Sequence, residues 1–325
     1  MKSERDLVSW LQGQLPNIGD DVGLIAADRL GNEDWVITGD HQVPGVHLPD
    51  DTPPSVIAQR LLRVNLSDIA AGGGKPRLAF INVAVPSQYP LQEFMESLIA
   101  DCQAHSIRLC GGDTTASPTA VFSLVILGDL PSGGRSPARH LAAAGDRVWI
   151  AGTVGQSLAG RKLIENLGGF EATQRALEHG KSLGESAAAA IQRHLVPTPQ
   201  LRLGRWLAMQ PRAAAIDLSD GLALDLHRMA EESKVGATID RDLVPLARGF
   251  TALCQQLEVD PFEAALGGGE DYVLLFALPP EVTPPDEMDA VAIGALNDTL
   301  EIQLRCGSET EPLPAQGWDH LQKSC

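Results

Sequence analysis

The chain has 325 residues, and 42 Asp and Glu against 25 Lys and Arg give it a formal net charge of −17 at pH 7. Nucleic-acid binding depends on clustered Lys and Arg, so this acidic composition, which lacks any basic run, excludes a polyanionic macromolecule as the main partner. Its five cysteines are scattered without CxxC spacing, and residues 1–11 lack the apolar stretch of a signal peptide. No apolar run approaches the roughly 20 residues of a membrane span. We therefore expect a reduced, cytoplasmic protein without a membrane partner.

The first half of the chain predicts alternating strands and helices. A helix is expected from about Pro53, because Ile57, Leu61 and Val64 recur at helical spacing, and the glycines at 72–74 should end it. β-Branched and apolar residues predict strands at 35–38, 78–85, 107–110 and 121–127. The segment 131–146 is rich in Gly, Pro, Ser, Arg and Ala without periodicity, so we place a domain boundary there, giving domains 1–138 and 139–325.

The second half mixes strands and helices in the same way. Helices are predicted from Ser157, near 185–194, near 201–209 and from about Leu222, and strands at 148–151, before Asp217, and at 272–278, 290–293 and 300–304. The predicted fold class is therefore α+β, with two mixed α/β domains: an N-terminal sheet domain and a larger C-terminal domain, each with its own core.

Six short motifs place a carboxylate beside Gly or Ser at the edge of a predicted element. Taken singly, each is compatible with ordinary turn or helix-cap chemistry. Turn or cap chemistry explains Asp68 less easily, because a carboxylate near a helix C-terminus interacts unfavourably with the helix dipole, at a cost of about 0.3–1 kcal/mol. The motifs are Gly19-Asp20-Asp21, Thr38-Gly39-Asp40, Asn65-Leu66-Ser67-Asp68, Gly111-Gly112-Asp113, Asp217-Leu218-Ser219-Asp220 and Gly268-Gly269-Glu270-Asp271.

These motifs predict a metal and phosphate site. The triplet Gly111-Gly112-Asp113 follows an apolar run, so it should form a corner that offers a carboxylate together with bare backbone N–H groups. Oxygen-rich ligands without Cys or His pairs favour Mg²⁺ or Mn²⁺ over zinc. The P-loop pattern and the H-R-D and D-F-G motifs of protein kinases are missing. The four-residue pattern shared by 65–68 and 217–220 suggests a similar carboxylate-bearing turn in each domain.

The order of these motifs and their residues resemble those of the thiamine-monophosphate kinase family of the aminoimidazole-ribonucleotide-synthetase-like superfamily. The resemblance runs from about Gly19 to Trp318 and is strongest at 65–71, 217–222 and 268–272. It implies ATP and thiamine monophosphate as substrates, several Mg²⁺ ions, direct in-line phosphoryl transfer, and a homodimer that pairs through its N-terminal sheets. The sequence departs from the family pattern at Gly39, His41, Pro44, Leu48 and Gly72.

The resemblance also assigns roles to individual residues. Asp21, Asp68 and Asp217 are implied to be catalytic. The implied metal ligands are Asp21, Thr38, Gly39, Asp40, Asp68, Asp113, Asp217 and Asp220. The implied ATP contacts are Gly112, Asp113, Arg139 and Ser219, and the implied thiamine contacts are His47, Glu270 and Trp318. A tryptophan face suits a flat cationic heterocycle, and a carboxylate suits its positive charge or amino group.

Two other interpretations remain open from sequence. One is a different ATP-using member of the superfamily, such as a selenophosphate or aminoimidazole ribonucleotide synthetase. The selenophosphate type calls for a reactive cysteine near the N-terminus, whereas the first cysteine here is Cys102. The other is a non-catalytic protein that binds Mg²⁺ and nucleotide, which would bind ATP without forming thiamine diphosphate.

Overall fold

A computed structural model describes residues 22–25, 34–178 and 183–318, and the strands of this part of the chain form two sheets. The first sheet has the strand order β1-β2-β5-β3-β4. Strand β4 pairs parallel to β3, and the other neighbours pair antiparallel. The strands are β1 Gly23–Ile25, β2 Trp35–Gln42, β3 Lys75–Val85, β4 Arg108–Ala116 and β5 Val121–Asp129.

Two helices, α1 Pro54–Ala71 and α2 Leu91–Ala104, cover one face of this sheet. Helix α1 begins with proline in its first turn, where no N–H partner is required, and ends before the glycines at 72–74. Its residues Ile57, Leu61 and Leu62 have at most 1% exposure and pack with the inward side chains of the strands. The predicted helix and both of its end signals are confirmed.

The second sheet has the order β12-β11-β8-β10-β6-β9-β7. Its strands are β6 Arg147–Ala151, β7 Ala214–Asp217, β8 Gly236–Asp240, β9 Leu274–Leu278, β10 Ala290–Asn297, β11 Ile302–Cys306 and β12 Glu309–Pro312. The helices of this half are α3 Gln156–Leu167, α4 Phe170–Glu178, α5 Gly184–Leu195, α6 Leu201–Leu207, α7 Leu222–Ser233, α8 Phe250–Gln256 and α9 Pro261–Gly267. The predicted α+β class is confirmed. Among the described residues, no helix is long and apolar enough to cross a bilayer.

Helix α1 joins the two halves. Ala70 and Ala71 belong to an apolar cluster with Trp149, Leu207 and Phe276 of the second half. The contact with α6 is very close, because a Cβ on Gly204 would lie 1.9 Å from the carbonyl oxygen of Ala70. Likewise, the core around the first sheet includes residues of α3, α4 and α5. Each half has a core of its own, as predicted, and the two halves also share apolar packing; the boundary between 138 and 139 stays a prediction.

The outer face of the first sheet carries an apolar surface. Phe80 is 41% exposed, and in the strand register it stands beside Val125 of β5. Leu127 of β5 stands between Ile37 of β2 and Leu78 of β3. These partly exposed residues face away from α1 and α2, so the described part of the chain leaves this surface uncovered.

Two local predictions are wrong. The triplet Gly111-Gly112-Asp113 lies inside β4 and forms no corner after it, because pairing with β3 continues through Ala116. The two copies of the [DN]-L-S-D pattern also differ, since 65–68 lies within α1 whereas 217–220 begins at the end of β7 and continues as a loop. In both cases tertiary packing decides the local structure, and the short sequence motif does not.

Candidate active site

Strand β2 and helix α1 bring together several of the predicted metal ligands. The Thr38 hydroxyl donates to Asp68 Oδ2 at 2.7 Å, so the strand and the helix are joined at these two side chains. The backbone N–H of Asp40 donates to Asn65 Oδ1 at 3.1 Å, and Gly39 lies between the two β2 residues. Helical spacing puts Asn65 and Asp68 on the same side of α1, so both can face β2.

The loop 217–221 after β7 meets the other predicted ligand residues. Ser219 accepts a hydrogen bond from the Glu270 backbone N–H at 2.7 Å, and Asp220 accepts one from the Trp318 N–H at 3.0 Å through its carbonyl oxygen. The backbone N–H of Leu218 donates to the carbonyl oxygen of Val273 at 2.9 Å. Residues separated by up to 100 positions in sequence are therefore assembled around one loop, as the predicted site requires.

The Gly268–Tyr272 segment is held in an unusual backbone conformation. Glu270 has φ +57° and Tyr272 has φ +50°, values that ordinary residues seldom adopt and that cost of order 1 kcal/mol or more each. The intervening Asp271 is buried, and its carboxylate accepts hydrogen bonds from the N–H groups of Gly155 (2.5 Å) and Ser157 (3.0 Å). This anchor at the start of α3 stabilises a strained segment that presents Glu270.

The Glu270 carboxylate contacts a buried arginine and a buried histidine. Its Oε1 lies 2.5 Å from Arg60 Nη2, and its Oε2 lies 3.6 Å from His194 Nδ1. Burial raises the pKa of Glu270, but the surrounding basic groups, Arg60 first among them, together outweigh that effect, and the pKa lies below its usual range. His47 and Arg161 are among these groups. Glu270 is therefore ionised at neutral pH.

Asp220 lies in a second charged cluster. Arg228 Nη1 donates both to Asp220 Oδ2 and, at 2.8 Å, to Asp225 Oδ1. Asp225 is fully buried and also accepts hydrogen bonds from the backbone N–H groups of Asp220 and Gly221 at 3.1 and 3.2 Å. Burial, then the Asp220 charge, raise the pKa of Asp225 to about 7, while Arg228 and Arg139 oppose them. Arg139 is thus placed close to the Asp220 loop.

Carboxylates from both halves act on Tyr272. The charges of Asp40 and Asp217 both act on its hydroxyl, which places carboxylates of β2 and β7 near one side chain. Carboxylate and hydroxyl oxygens are the donor types that Mg²⁺ prefers, and in kinases one or two carboxylates commonly hold it together with phosphate oxygens. In the parts of the chain that the structure describes, no three Asp, Glu, His or Cys side chains form a metal-binding group by themselves. Asp21 lies outside the described residues.

Gly112 and Asp113 lie on the edge strand, away from β2. Asp40, Leu124, Ile81 and Gly112 form one row across β2, β5, β3 and β4. Three strand spacings separate the ends of this row by about 14 Å. A Cβ on Gly112 would lie 1.6 Å from the Ile81 carbonyl oxygen, so glycine is required at this position. Asp113 is exposed, and its N–H donates to Asn82 Oδ1 at 3.1 Å.

The chain is similar to known proteins along most of its length. Family models described as AIR synthase related protein, N-terminal domain and C-terminal domain, match residues 19–130 and 143–292. The thiamine-monophosphate kinase of Haemophilus influenzae is 31% identical over 324 residues, covering 95% of this chain and 92% of the relative. That of Salmonella typhimurium is 35% identical over 267 residues, covering 81% and 76%. The chain belongs to the thiamine-monophosphate kinase family.

Solved structures extend the similarity to three dimensions. The structure "AaThiL complexed with AMPPCP and TMP" matches with a TM-score of 0.83 at 28% identity, covering 98% of this chain and 97% of that one. The thiamine monophosphate kinase of Aquifex aeolicus matches with a TM-score of 0.78 at 27% identity, covering 94% and 98%. The predicted family, fold and enzyme class, a thiamine-phosphate kinase, are confirmed.

Several residues that shape this candidate site escaped the sequence analysis. Arg60 and His194 contact Glu270, Asp271 anchors its segment, and Arg228 and Asp225 hold the Asp220 loop. In sequence, Arg60 resembles a charged residue on an exposed helix face. Asp225, five residues after Asp220 at the start of a predicted helix, offered a detectable signal, because a carboxylate in a first helical turn commonly binds free N–H groups.

Proposed function

We propose that this chain transfers the γ-phosphoryl group of ATP directly to the phosphate of thiamine monophosphate, giving ADP and thiamine diphosphate. The observation that carries the proposal is the meeting of carboxylates from both halves beside the Glu270 segment, in a chain similar along 95% of its length to a named thiamine-monophosphate kinase. A relative in complex with AMPPCP and TMP supports ATP as donor and thiamine monophosphate as acceptor.

The acceptor phosphate needs little chemical activation. A phosphate monoester has a second pKa near 6, so its oxygen is already largely ionised at pH 7, and a strong general base is not required. The barrier lies in bringing two polyanions into line, so the contribution of the protein is positioning and charge neutralisation. Arg139 lies near the Asp220 loop and would pair with a phosphate oxygen, while Ser219 and Gly112 would contact the nucleotide.

The proposed metal is Mg²⁺, in several ions. Thr38, Gly39, Asp40, Asp68, Asp217 and Asp220 would hold it, together with Asp21 and Asp113. When bound, Mg²⁺ supplies neutralisation of charge on the phosphoryl oxygens. The hydroxyl of Thr38 keeps the Asp68 carboxylate directed toward β2 at 2.7 Å, so this chain arranges at least that pair of oxygens for such a role.

The test of the proposed function uses purified protein, γ-labelled ATP and thiamine monophosphate with and without Mg²⁺. We expect label in thiamine diphosphate, loss of turnover when a chelator removes Mg²⁺, and no label on protein trapped by rapid acid quench. Direct transfer would be refuted if the labelled phosphoryl group first becomes attached to the protein and then disappears from it while thiamine diphosphate is formed. ATP binding without thiamine diphosphate formation would refute the kinase proposal itself.

We further propose that the enzyme is a cytoplasmic homodimer whose active site is completed by the partner copy. The backbone of β4, which carries Asp113, lies about 14 Å from the backbone of β2. Two carboxylates that bind one Mg²⁺ come within about 4 Å of each other. The exposed strand β4 and the apolar outer surface at Phe80 and Val125 offer a place for a second copy. The four described cysteines form no disulfide, which accords with a reducing compartment.

Trp318 should determine affinity for the thiamine substrate. Its backbone N–H donates to Asp220 O at 3.0 Å. The Arg161 guanidinium, whose charge also acts on Glu270, lies 5.7 Å from the Trp318 ring centroid, so the ring is placed beside the charged Glu270 region. We expect Trp318→Ala to raise KM for thiamine monophosphate roughly 3- to 30-fold, the range of a cation–π contact, with KM for ATP within about twofold. Trp318→Phe should retain most of the affinity. Equal increases in both KM values would contradict the assignment.

A further inference from the structure

Arg60 is a fully buried arginine on α1 that contacts two separate parts of the second half, the Gly268–Tyr272 segment and the end of α5. Nη2 lies 2.5 Å from Glu270 Oε1, Nη1 donates to the carbonyl oxygen of His194, and the guanidinium carbon lies 5.6 Å from the Tyr272 ring centroid. Glu270 and His194 are 210 and 134 positions away in sequence. A side chain without exposed surface therefore connects the metal-ligand helix α1 to the strained segment that carries Glu270.

Stability alone does not account for this arrangement. A buried arginine and carboxylate both lose their hydration, so a buried ion pair contributes little net stability compared with apolar residues of the same volume. The pair does fix geometry, because a planar guanidinium donates in defined directions. With Nη1 bound to His194 O, Arg60 can hold Glu270 Oε1 in one direction through Nη2.

The surroundings of Glu270 make Arg60 its main counter-charge. His194 is the other close basic group, but burial and the Arg60 charge lower its pKa to about 3, so it is neutral at pH 7. Arg161 and His47 act on Glu270 from farther away, and Arg161 also contacts the Trp318 ring. The Glu270 side chain remains 20% exposed, so a ligand can reach it from the side away from Arg60.

We propose that Arg60 is a positioning residue for the thiamine substrate, acting through Glu270 by fixing the direction of its carboxylate and balancing its charge. This inference rests on the proposed function, since it takes Glu270 as the contact to the substrate cation or amino group. Without Arg60, the Glu270 carboxylate loses both its fixed direction and its nearest cation. Loss of Arg60 should therefore weaken the use of the thiamine substrate and leave the binding of ATP unchanged.

The test compares steady-state kinetics of Arg60→Met, Glu270→Gln, their double variant and Arg60→Lys. We expect Arg60→Met to lower kcat/KM for thiamine monophosphate by about 10- to 100-fold, the range of losses when a residue that orients a ligand group is removed, with KM for ATP within about twofold. In the Glu270→Gln background the same change should add less than about twofold, because the group it orients is altered already. Arg60→Lys keeps the charge and should recover part of the loss.

Arg63→Met provides a matched control. Arg63 lies one turn further along α1 and pairs with Asp101 at 3.2 Å, away from Glu270, so its variant should keep both KM values. If Arg60→Met fails to fold, the double variant and Arg60→Lys carry the test, because neither leaves Glu270 as a lone buried charge. Effects of Arg60→Met that multiply fully with those of Glu270→Gln, or that fall equally on ATP, would overturn the inference while leaving the kinase proposal intact. A wild-type protein without thiamine diphosphate formation would overturn both.

Discussion

Asp68→Asn is expected to lower kcat by about 100-fold or more while the protein stays folded. The neutral amide removes a charge from the proposed metal site, and a 100-fold loss corresponds to roughly 2.7 kcal/mol of transition-state stabilisation. Asn keeps a side-chain oxygen that can accept the hydrogen bond that the Thr38 hydroxyl donates to Asp68 at 2.7 Å in the unaltered chain. Steady-state kinetics at saturating ATP and Mg²⁺ measure the loss.

The same substitution should leave thermal stability unchanged or slightly higher. Asp68 lies in the last turn of α1, where a carboxylate opposes the helix dipole by about 0.3–1 kcal/mol. Asp240→Asn makes the same change of charge on β8, where Asp240 pairs with Arg305 outside the site, and should retain full activity. Unchanged turnover of Asp68→Asn, or a loss of activity that follows a loss of folded protein, would contradict the proposed role of Asp68.

Much of the fold could be predicted because its signals are local. Helix α1 combines a proline start, a helical repeat of apolar residues and a glycine stop, and the structure follows all three. Helix α2 escaped prediction because its amphipathic pattern follows directly on Pro90 without a capping side chain. Strand β4 was placed too short because its two glycines and polar residues have low strand propensity, and pairing with β3 overrides that preference.

The site was predictable in its list of residues but not in its geometry. The motif order predicts the carboxylates, and backbone hydrogen bonds join Ser219 to Glu270 and Asp220 to Trp318, while the roles of these residues stay predictions. The contacts of Arg60 could not be found from sequence, because its partners lie more than 130 positions away. Nor could sequence show that β5 and β3 separate Asp113 from β2.

Strain and charge meet at the same segment. Glu270 and Tyr272 adopt left-handed backbone conformations, and such strain persists where surrounding contacts fix the conformation. Here those contacts come from Arg60, from the carboxylate of Asp271 bound to the start of α3, and from Ser219 O. The segment is therefore organised before any ligand binds, which reduces the cost of ordering it around a substrate.

The second large effect is recovery of activity when two inactive variants share a dimer. If Asp113 completes the site of the partner copy, a heterodimer of Asp68→Asn and Asp113→Asn contains one site with both changes and one site with neither. Differently tagged copies, coexpressed and purified through both tags, should then regain about half of the wild-type activity per dimer, since one of two sites is intact. Each variant alone should remain nearly inactive.

The matching control distinguishes a shared site from general rescue by dimerisation. Asp40 and Asp68 both belong to the β2 and α1 side of the site, where Asp40 N–H binds Asn65 and Thr38 binds Asp68. A heterodimer of Asp40→Asn and Asp68→Asn therefore has one altered carboxylate in each site and should stay inactive. Because the intervening strands keep Asp113 about 14 Å from β2 within one chain, recovery restricted to the Asp113 combination is what a shared site requires. An inactive Asp68–Asp113 heterodimer would place Asp113 in the site of its own chain, and an active Asp113→Asn variant would place it outside the site.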